Sequence, residues 1–261
     1  VGHSVENGLE VIRLPCIPLL DGRLPLPKKT SDYYRLLQTL DDYEWNGVLI
    51  NTRLFPLSLE GLKFAADHSA VVLDHGSAYL SFNQPLLDFF VRRYEDWITD
   101  RVKTFDPDFY GISSKSVEWL QHFNITAKGV ISNSINASFY RSISSGRDFR
   151  SELGIPQSSL VVAFVGRLIP EKGINSIIEA ARTKDITKRD ICFVLAGDGP
   201  LANEVKEACS SNLFWLGRCN TEDISSLLQQ ADVLCLPTRS EGFSTVLLEA
   251  SACGTPAVVT D

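Results

Sequence analysis

The chain has 261 residues, 44% of them hydrophobic and 22% charged, with a formal net charge of -7; this is the composition of a folded globular protein with room for two modest domains, and it excludes a fibrous or disordered chain. Neither half carries a basic surplus, which argues against an electrostatic grip on nucleic acid or on an anionic membrane. No apolar run approaches the roughly eighteen residues of a membrane span, the N-terminus VGHSVENGLE is not a signal peptide, and the six cysteines lack C-x-x-C spacing, so the chain is placed in a reducing compartment, the cytoplasm.

Short apolar runs alternate with amphipathic stretches, the order expected of a parallel sheet wrapped by helices. In the first half, strands are expected at 9–14, 47–51, 70–74, 109–113 and 129–132. The segment LPCIPLLDGRLPLPKK, with prolines at 15, 18, 25 and 27, reads as an irregular loop because proline cannot donate to a ladder. The longest helix is expected over 84–103. There Leu86, Leu87, Phe90, Tyr94, Trp97, Ile98 and Val102 fall near helical spacing and are assigned to the sheet, while Arg92, Arg93, Glu95 and Asp96 are assigned to the other side. Residues 133–159 lapse into Ser, Asn and Gly, a linker between a domain over 1–140 and a second over 141–261. The alternation then restarts, with strands at 160–166, 191–197, 213–217, 232–237 and 256–260 and helices at 174–184, 201–210, 222–230 and 245–253. The expected fold class is α/β with two doubly wound, Rossmann-like halves, and such sheets bind ligands outside the carboxyl ends of their strands.

Those ends carry the chemistry. In FVGRLIPEKGI, Gly166 ends a strand, Pro170 suits a first helical position, and Arg167 and Lys172 lie in the approach and the first turn. Cations at a helix N-terminus oppose the macrodipole unless an anion sits there too. Two readings stand for this loop: a phosphate site, or two cations extended into solvent beside Glu171. LAGDGPLANE matches G-x-G-x-x-[GA] through Gly197, Gly199 and Ala202, but the next strand ends in Gly217 and Arg218 without the acidic ribose ligand of a dinucleotide site. A tight turn packed on a neighbouring ligand loop is the expected role. In LPTRSEGFSTVLLEASACGTP, Ser244 or Thr245 is expected to cap a helix over VLLEASAC, so that the amides after Phe243 form an anion cradle. Glu241 precedes that turn and Glu249 lies about one turn inside the helix. Carboxylates flanking an anion site suit a ligand with phosphate in the middle and hydroxyls at both ends, as in a nucleotide sugar. Taken singly, Glu249 reads as an exposed helical glutamate and Glu241 as a partner for Arg239.

EGFSTVLLE is similar to the Glu-x7-Glu motif of retaining glycosyltransferases of the GT-B fold, family 4, also called glycosyl transferases group 1. VGRLIPEKGI, LAGDGPL, LGRCNTEDISSLLQQADVLCLPTRSEGF and EASACGTPAVVTD resemble that family's successive segments in order. Earlier the likeness is looser: GVISNSINASFY resembles the family's strand and asparagine-bearing linker, and VVLDHGSAYLSF a His-Gly step of members that build bacterial surface glycans. The resemblance implies two Rossmann-like domains facing a cleft. By position, Arg167 and Lys172 would bind the diphosphate, with Gly166 letting the backbone approach and the amides of Ser244, Thr245 and Val246 assisting. Phe243, Gly217 and Arg218 would lie beside the donor, Glu249 would accept from the ribose hydroxyls, Glu241 would contact the donor sugar, and His75 would hydrogen-bond the transferred sugar. The departures from the family pattern are at the ends: the first strand with its glycine loop and the C-terminal helices are not found, and there is no methionine, so a fragment of a longer or processed polypeptide is expected.

The implied reaction moves a sugar from a UDP-sugar or GDP-sugar to a hydroxyl of a glycan or lipid-linked acceptor with retention. Family members are thought to use a front-side route in which the leaving diphosphate helps deprotonate the acceptor. Arg167 and Lys172 would stabilise charge developing on that group, and no metal or other cofactor is expected. The competing readings are a nucleotide-binding piece without catalysis, a sugar-nucleotide epimerase, and an NADP-binding oxidoreductase module that would use GDGPLA and Arg218. The partners expected are the donor and its acceptor, no nucleic acid, and at most a peripheral membrane contact at the inner face.

Overall fold

In the computed structural model, which describes residues 1–20, 24–65, 68–82, 84–239 and 243–260, the chain divides between Ser132 and Asn133 into two units. The first unit opens with two antiparallel ribbons, β1 (Gly2–Glu6) with β2 (Leu9–Arg13) and β3 (Cys16–Leu19) with β4 (Leu24–Pro27). Both correct the sequence reading. The strand expected at 9–14 belongs to a ribbon, not to the parallel sheet, and the proline-rich loop is itself a ladder. Its register explains why proline is tolerated. Lys28 N donates to Pro15 O at 2.9 Å, and hydrogen-bonded pairs alternate along an antiparallel ribbon. Pro18, Pro25 and Pro27 therefore fall in the alternate pairs Pro18–Pro25 and Cys16–Pro27, where a backbone N–H would point away from the partner.

Helix α1 (Ser31–Gln38), capped by the Thr30 hydroxyl on Tyr33 N, leads through a short 3-10 turn to β5 (Gly47–Asn51). There follow α2 (Pro56–Phe64), β6 (Ser69–Asp74), α3 (Pro85–Lys103), β7 (Asp108–Gly111), α4 (Ser114–Gln121) and β8 (Gly129–Val130). The four strands β5-β6-β7-β8 form a parallel sheet. Ile50, Val72 and Phe109 pack with Leu62, Val102 and Leu120 of the helices into one core.

Helix α3 has its expected length but turns a different stripe inward. Ile98 and Val102 are buried as expected, whereas Leu86, Phe90 and Trp97 are exposed, and Glu95, assigned to solvent, is only 3% exposed. The inward stripe runs Asp88, Val91, Glu95, Ile98, Thr99, Val102. Its polar members are tolerated because each has a partner: Asp88 accepts from Ser81 Oγ and Phe82 N, Thr99 Oγ1 donates to Glu95 O, and Glu95 accepts from Arg53.

The second unit begins with α5 (Ala137–Ser142) and α6 (Phe149–Leu153), two capped helices inside the segment read as linker. Asn136 caps α5, and Asp148 caps α6, which stops at Gly154 in the left-handed region. Then come β9 (Leu160–Val165), α7 (Ile174–Ala181), α8 (Lys184–Thr187), β10 (Ile191–Ala196), α9 (Ala202–Ala208), β11 (Leu213–Gly217), α10 (Thr221–Gln230), β12 (Val233–Leu236), α11 (Thr245–Cys253) and β13 (Ala257–Val259). The strands form a five-stranded parallel sheet in the order β11-β10-β9-β12-β13. Near-continuous apolar runs such as ICFVLA in β10, buried at five of six positions, reflect a sheet covered on both faces. Among the described residues no helix is long and apolar enough to cross a membrane.

Candidate functional site

Strand order in the second sheet reverses between β9 and β12, which pair with each other while their successors run to opposite edges. The crevice outside the carboxyl ends at such a switch point is where open α/β sheets hold ligands. The loops that flank it, after β9 and after β12, are the two that carry Arg167 with Lys172 and the Gly-Phe-Ser-Thr step.

Backbone contacts fix these loops. Gly166 N donates to Ala196 O at 3.0 Å, Leu168 N to Asp198 O at 2.9 Å, and Leu201 N to Leu168 O at 3.0 Å, so the β9 and β10 loops are zipped together. Gly197 and Gly199 make this possible. A Cβ on Gly197 would overlap the Gly166 carbonyl, and one on Gly199 would lie 2.6 Å from Leu168 O. The glycines of the dinucleotide-like fingerprint are thus spent on packing against the ligand loop, as their tight-turn reading required. On the other side Arg239 N and Thr238 Oγ1 both donate to Glu171 O, at 2.9 and 3.2 Å. A cavity of about 810 Å³ opens along the zipped edge, lined by Gly166, Arg167, Gly197, Gly199, Arg218, Cys219 and Ile224 among others.

The β9 loop differs from expectation in one respect. Pro170 starts a single 3-10 turn, Pro170–Lys172, that ends at Gly173 with φ 72°, and α7 begins only at Ile174. Gly173 is required there because a side chain would strike Pro237 O of the β12 loop. Lys172, half-buried, therefore stands ahead of α7 and not in its first turn. Arg167 is exposed at the cavity wall.

Ser244 occupies the N-cap of α11 with extended backbone, φ -92° and ψ 108°, but its hydroxyl makes no capping hydrogen bond, and the first turn holds no acidic residue. This corrects the expected side-chain cap. The N-terminus of α11, with the amides of Thr245 and Val246 and the positive end of its dipole, carries no side-chain cap from Ser244, which suits an anion. Ser244→Asp is expected to fill the cap, raising stability by about 1 kcal/mol while weakening nucleoside diphosphate binding. Thermal melts with and without UDP check both signs.

Glu249 lies half-buried on the face of α11 that packs against α5. Burial pushes its carboxyl above the ordinary 4.5, and Tyr140, whose buried hydroxyl approaches without reaching ordinary hydrogen-bond geometry, pulls it back only partly. Burial, with the Glu249 carboxylate second, drives the Tyr140 phenol upward in turn. A carboxyl accepts from two ribose hydroxyls at once, one on each oxygen, only when it is ionised. Nucleotide affinity is therefore expected to fall with acidification from a higher pH than an ordinary glutamate would give, and Glu249→Gln to lack that limb in titrations between pH 5 and 8. The folding linkage has the opposite sense. With the folded pKa raised, this group's contribution to stability is complete below 4.5 and is lost as pH rises through the folded value.

Phe243 is half-buried and Val246 buried beside Ser244, and Gly217 ends β11 with φ 72°, its carbonyl accepting from Gly197 N at 2.8 Å. Arg218 follows on the cavity wall. Glu241 lies outside the described residues. The second sheet thus brings Gly166, Arg167, Lys172, Gly217, Arg218 and the 243–246 turn to one edge, with Glu249 farther along α11.

His75 belongs to the first unit, at the carboxyl end of β6. Its Nε2 is 3.4 Å from Asn51 Oδ1, and the next amide, Gly76 N, donates to Asp74 Oδ1 at 2.9 Å. Beneath them Arg53, 1% exposed, pairs with Asp74 at 3.1 Å and Glu95 at 2.8 Å. Sequence reasoning missed Asn51 and Arg53, as well as Cys219 in the second unit. The signal available was Asn-Thr-Arg at the end of the strand GVLIN, the ligand-binding end of a parallel sheet.

Residues 146–261 match the family model described as glycosyl transferases group 1. The chain is 33% identical over 141 residues to the UDP-Gal:alpha-D-GlcNAc-diphosphoundecaprenol alpha-1,3-galactosyltransferase of Escherichia coli, covering 51% of this chain and 36% of that one. It is 31% identical over 119 residues to the GDP-mannose-dependent monoacylated alpha-(1-6)-phosphatidylinositol monomannoside mannosyltransferase of Corynebacterium glutamicum, covering 42% and 31%. The crystal structure of Anabaena Alr3699/HepE in complex with UDP and glucose superposes with a TM-score of 0.65 at 22% identity, covering 87% of this chain and 61% of that one, and shows the shared fold. The match spans about a third of the length of these curated relatives. With two parallel sheets of the GT-B type, the chain has the GT-B fold, and its second unit, through residues 146–261, is similar to the glycosyl transferases group 1 family.

Proposed function

We propose that the protein is a retaining glycosyltransferase of the cytoplasm that takes a sugar from a UDP-sugar or GDP-sugar and passes it to a hydroxyl of a glycan or lipid-linked acceptor, with at most a peripheral membrane contact. The observation that carries this reading is the N-terminus of α11 at the switch point, on the same sheet edge as Arg167 and Lys172. Two cations and the first amides of a helix gathered on one sheet edge suit an anion of more than one charge, such as a diphosphate. The relatives' names add donors of both kinds, UDP-Gal and GDP-mannose, and acceptors that are lipid-linked. The six thiols, none of them paired, fit a reducing compartment.

In this mechanism the diphosphate leaves against Arg167, Lys172 and the α11 amides, donors that need no reorganisation as charge develops. The departing phosphate oxygen takes the acceptor's proton on the face where the new bond forms, which gives retention without a covalent enzyme intermediate. Glu249 accepts from the ribose, Glu241 contacts the sugar, and His75 hydrogen-bonds the transferred sugar. The test is a titration of UDP, GDP, ADP and NADP into the protein and into Arg167→Ala and Glu249→Ala. One nucleoside diphosphate is expected to bind and to lose at least tenfold in affinity in both variants. Tight NADP binding indifferent to Glu249→Ala would overturn the reading in favour of a dinucleotide site.

A further inference from the structure

The carboxyl edge of the first sheet holds a buried charge cluster that the donor chemistry leaves without a task. Arg53, Asp74 and Glu95 are 1%, 0% and 3% exposed. The guanidinium donates from Nη1 to Asp74 Oδ2 at 3.1 Å and from Nη2 to Glu95 Oε1 at 2.8 Å, and lies over the Phe123 ring at 4.2 Å. Arg53 Nε and Glu95 Oε2 have no hydrogen-bond partner. A buried charge cluster is often no more stabilising than well-packed apolar residues of the same volume, and Thr52 beside it adds strain: this β-branched residue has φ 65°, a rare conformation for its type. The strained turn is held by Thr52 N on Leu73 O at 2.8 Å and by Ser58 Oγ on Thr52 O at 2.7 Å.

What the cluster touches is the loop that presents His75. With Oδ2 engaged by Arg53, Asp74 turns Oδ1 to the Gly76 amide at 2.9 Å, fixing the backbone on either side of His75. Asn51, at the matching end of β5, places Oδ1 3.4 Å from His75 Nε2. An amide oxygen only accepts, so a neutral imidazole facing it carries its hydrogen on Nε2 and presents a lone pair at Nδ1. We propose that Arg53 is the positioning residue for His75, acting through Asp74, and that Asn51 holds the imidazole so that His75 meets its substrate as an acceptor through Nδ1. The ligand chemistry is then a hydroxyl that donates, as on a sugar carbon, and not an anionic oxygen. This rests on the assignment of His75 to the transferred sugar.

Nitrogen-15 NMR of the whole chain at pH 8 reads both parts. Long-range imidazole spectra are expected to show His75 with its hydrogen on Nε2. In Asn51→Ala, where the truncated side chain is exposed and the fold is kept, a fraction with hydrogen on Nδ1 appears. In Arg53→Met the Gly76 amide exchanges at least tenfold faster and the same imidazole fraction appears, while the amides of Ile98 and Leu120 stay protected. A wild-type His75 protonated on Nδ1, or Gly76 and His75 signals unchanged in a folded Arg53→Met, overturns the proposal. If that variant does not fold, Glu95→Gln removes the charge that holds the other side of the guanidinium, and smaller shifts of the same sense are required of it. Should His75→Ala leave sugar transfer unchanged, the sugar role of His75 falls while the spectra still decide the positioning.

Discussion

Gly197→Ala is expected to lower the stability of the second unit by about 2–5 kcal/mol and to cost at least tenfold in nucleotide affinity. The backbone there has φ 145°, outside what an L side chain adopts readily, which carries a penalty of roughly 1–2 kcal/mol. The added methyl group would overlap the Gly166 carbonyl, and forcing apart a packed contact costs about 1–3 kcal/mol more. The loops that would part are those that form the cavity, so stability and binding should fall together. Gly254→Ala is the control. Gly254 also has positive φ, 81°, as the left-handed cap of α11, but nothing lies within 4 Å of the added atom, so the backbone penalty acts alone. A melt in which both variants lose the same few degrees, with UDP affinity intact in Gly197→Ala, would show that the β9 and β10 loops are not a rigid unit.

The second unit was legible because its signals are local. Strand LFWLG and helix 245–253 fall at their expected bounds, since a continuous apolar run closed by glycine, and a helix followed by Gly254, mark their own limits. Gly197 and Gly199 were readable for the same reason: two glycines around one aspartate after a strand announce close backbone approach. The first unit was harder because its decisive contacts are distant in sequence. Glu95 looked like a solvent residue because its partner Arg53 is 42 positions away, and without that partner periodicity favours the Leu86, Phe90, Trp97 stripe. The prolines at 18, 25 and 27 argued against a ladder that their pairing parity allows. Ser244 sat where a cap belongs, yet sequence cannot show whether a hydroxyl donates, accepts or leaves the amides open.

Arg53→Ala is expected to cost the first unit about 3–5 kcal/mol near neutral pH, the loss typical when one partner of a buried ion pair is removed. Asp74 and Glu95 would be left buried with like charge and no cation, and the contact with Phe123 would be lost as well. The cost should depend on pH with a definite sign. Burial already raises the Glu95 carboxyl above 4.5 despite the opposing pull of Arg53, and removing Arg53 raises it further. A group with a raised folded pKa contributes its full stability below the unfolded value and loses it as pH rises through the folded one. The deficit of Arg53→Ala should therefore be smallest near pH 4.5 and widen towards pH 7. Adding Glu95→Gln, which keeps the shape and cannot ionise, should restore part of the loss at pH 7 and none near pH 4.5. Urea melts of the three proteins at both pH values decide it. A deficit independent of pH, or a double variant no better than Arg53→Ala at pH 7, would mean that packing against Phe123, and not charge, is what Arg53 supplies.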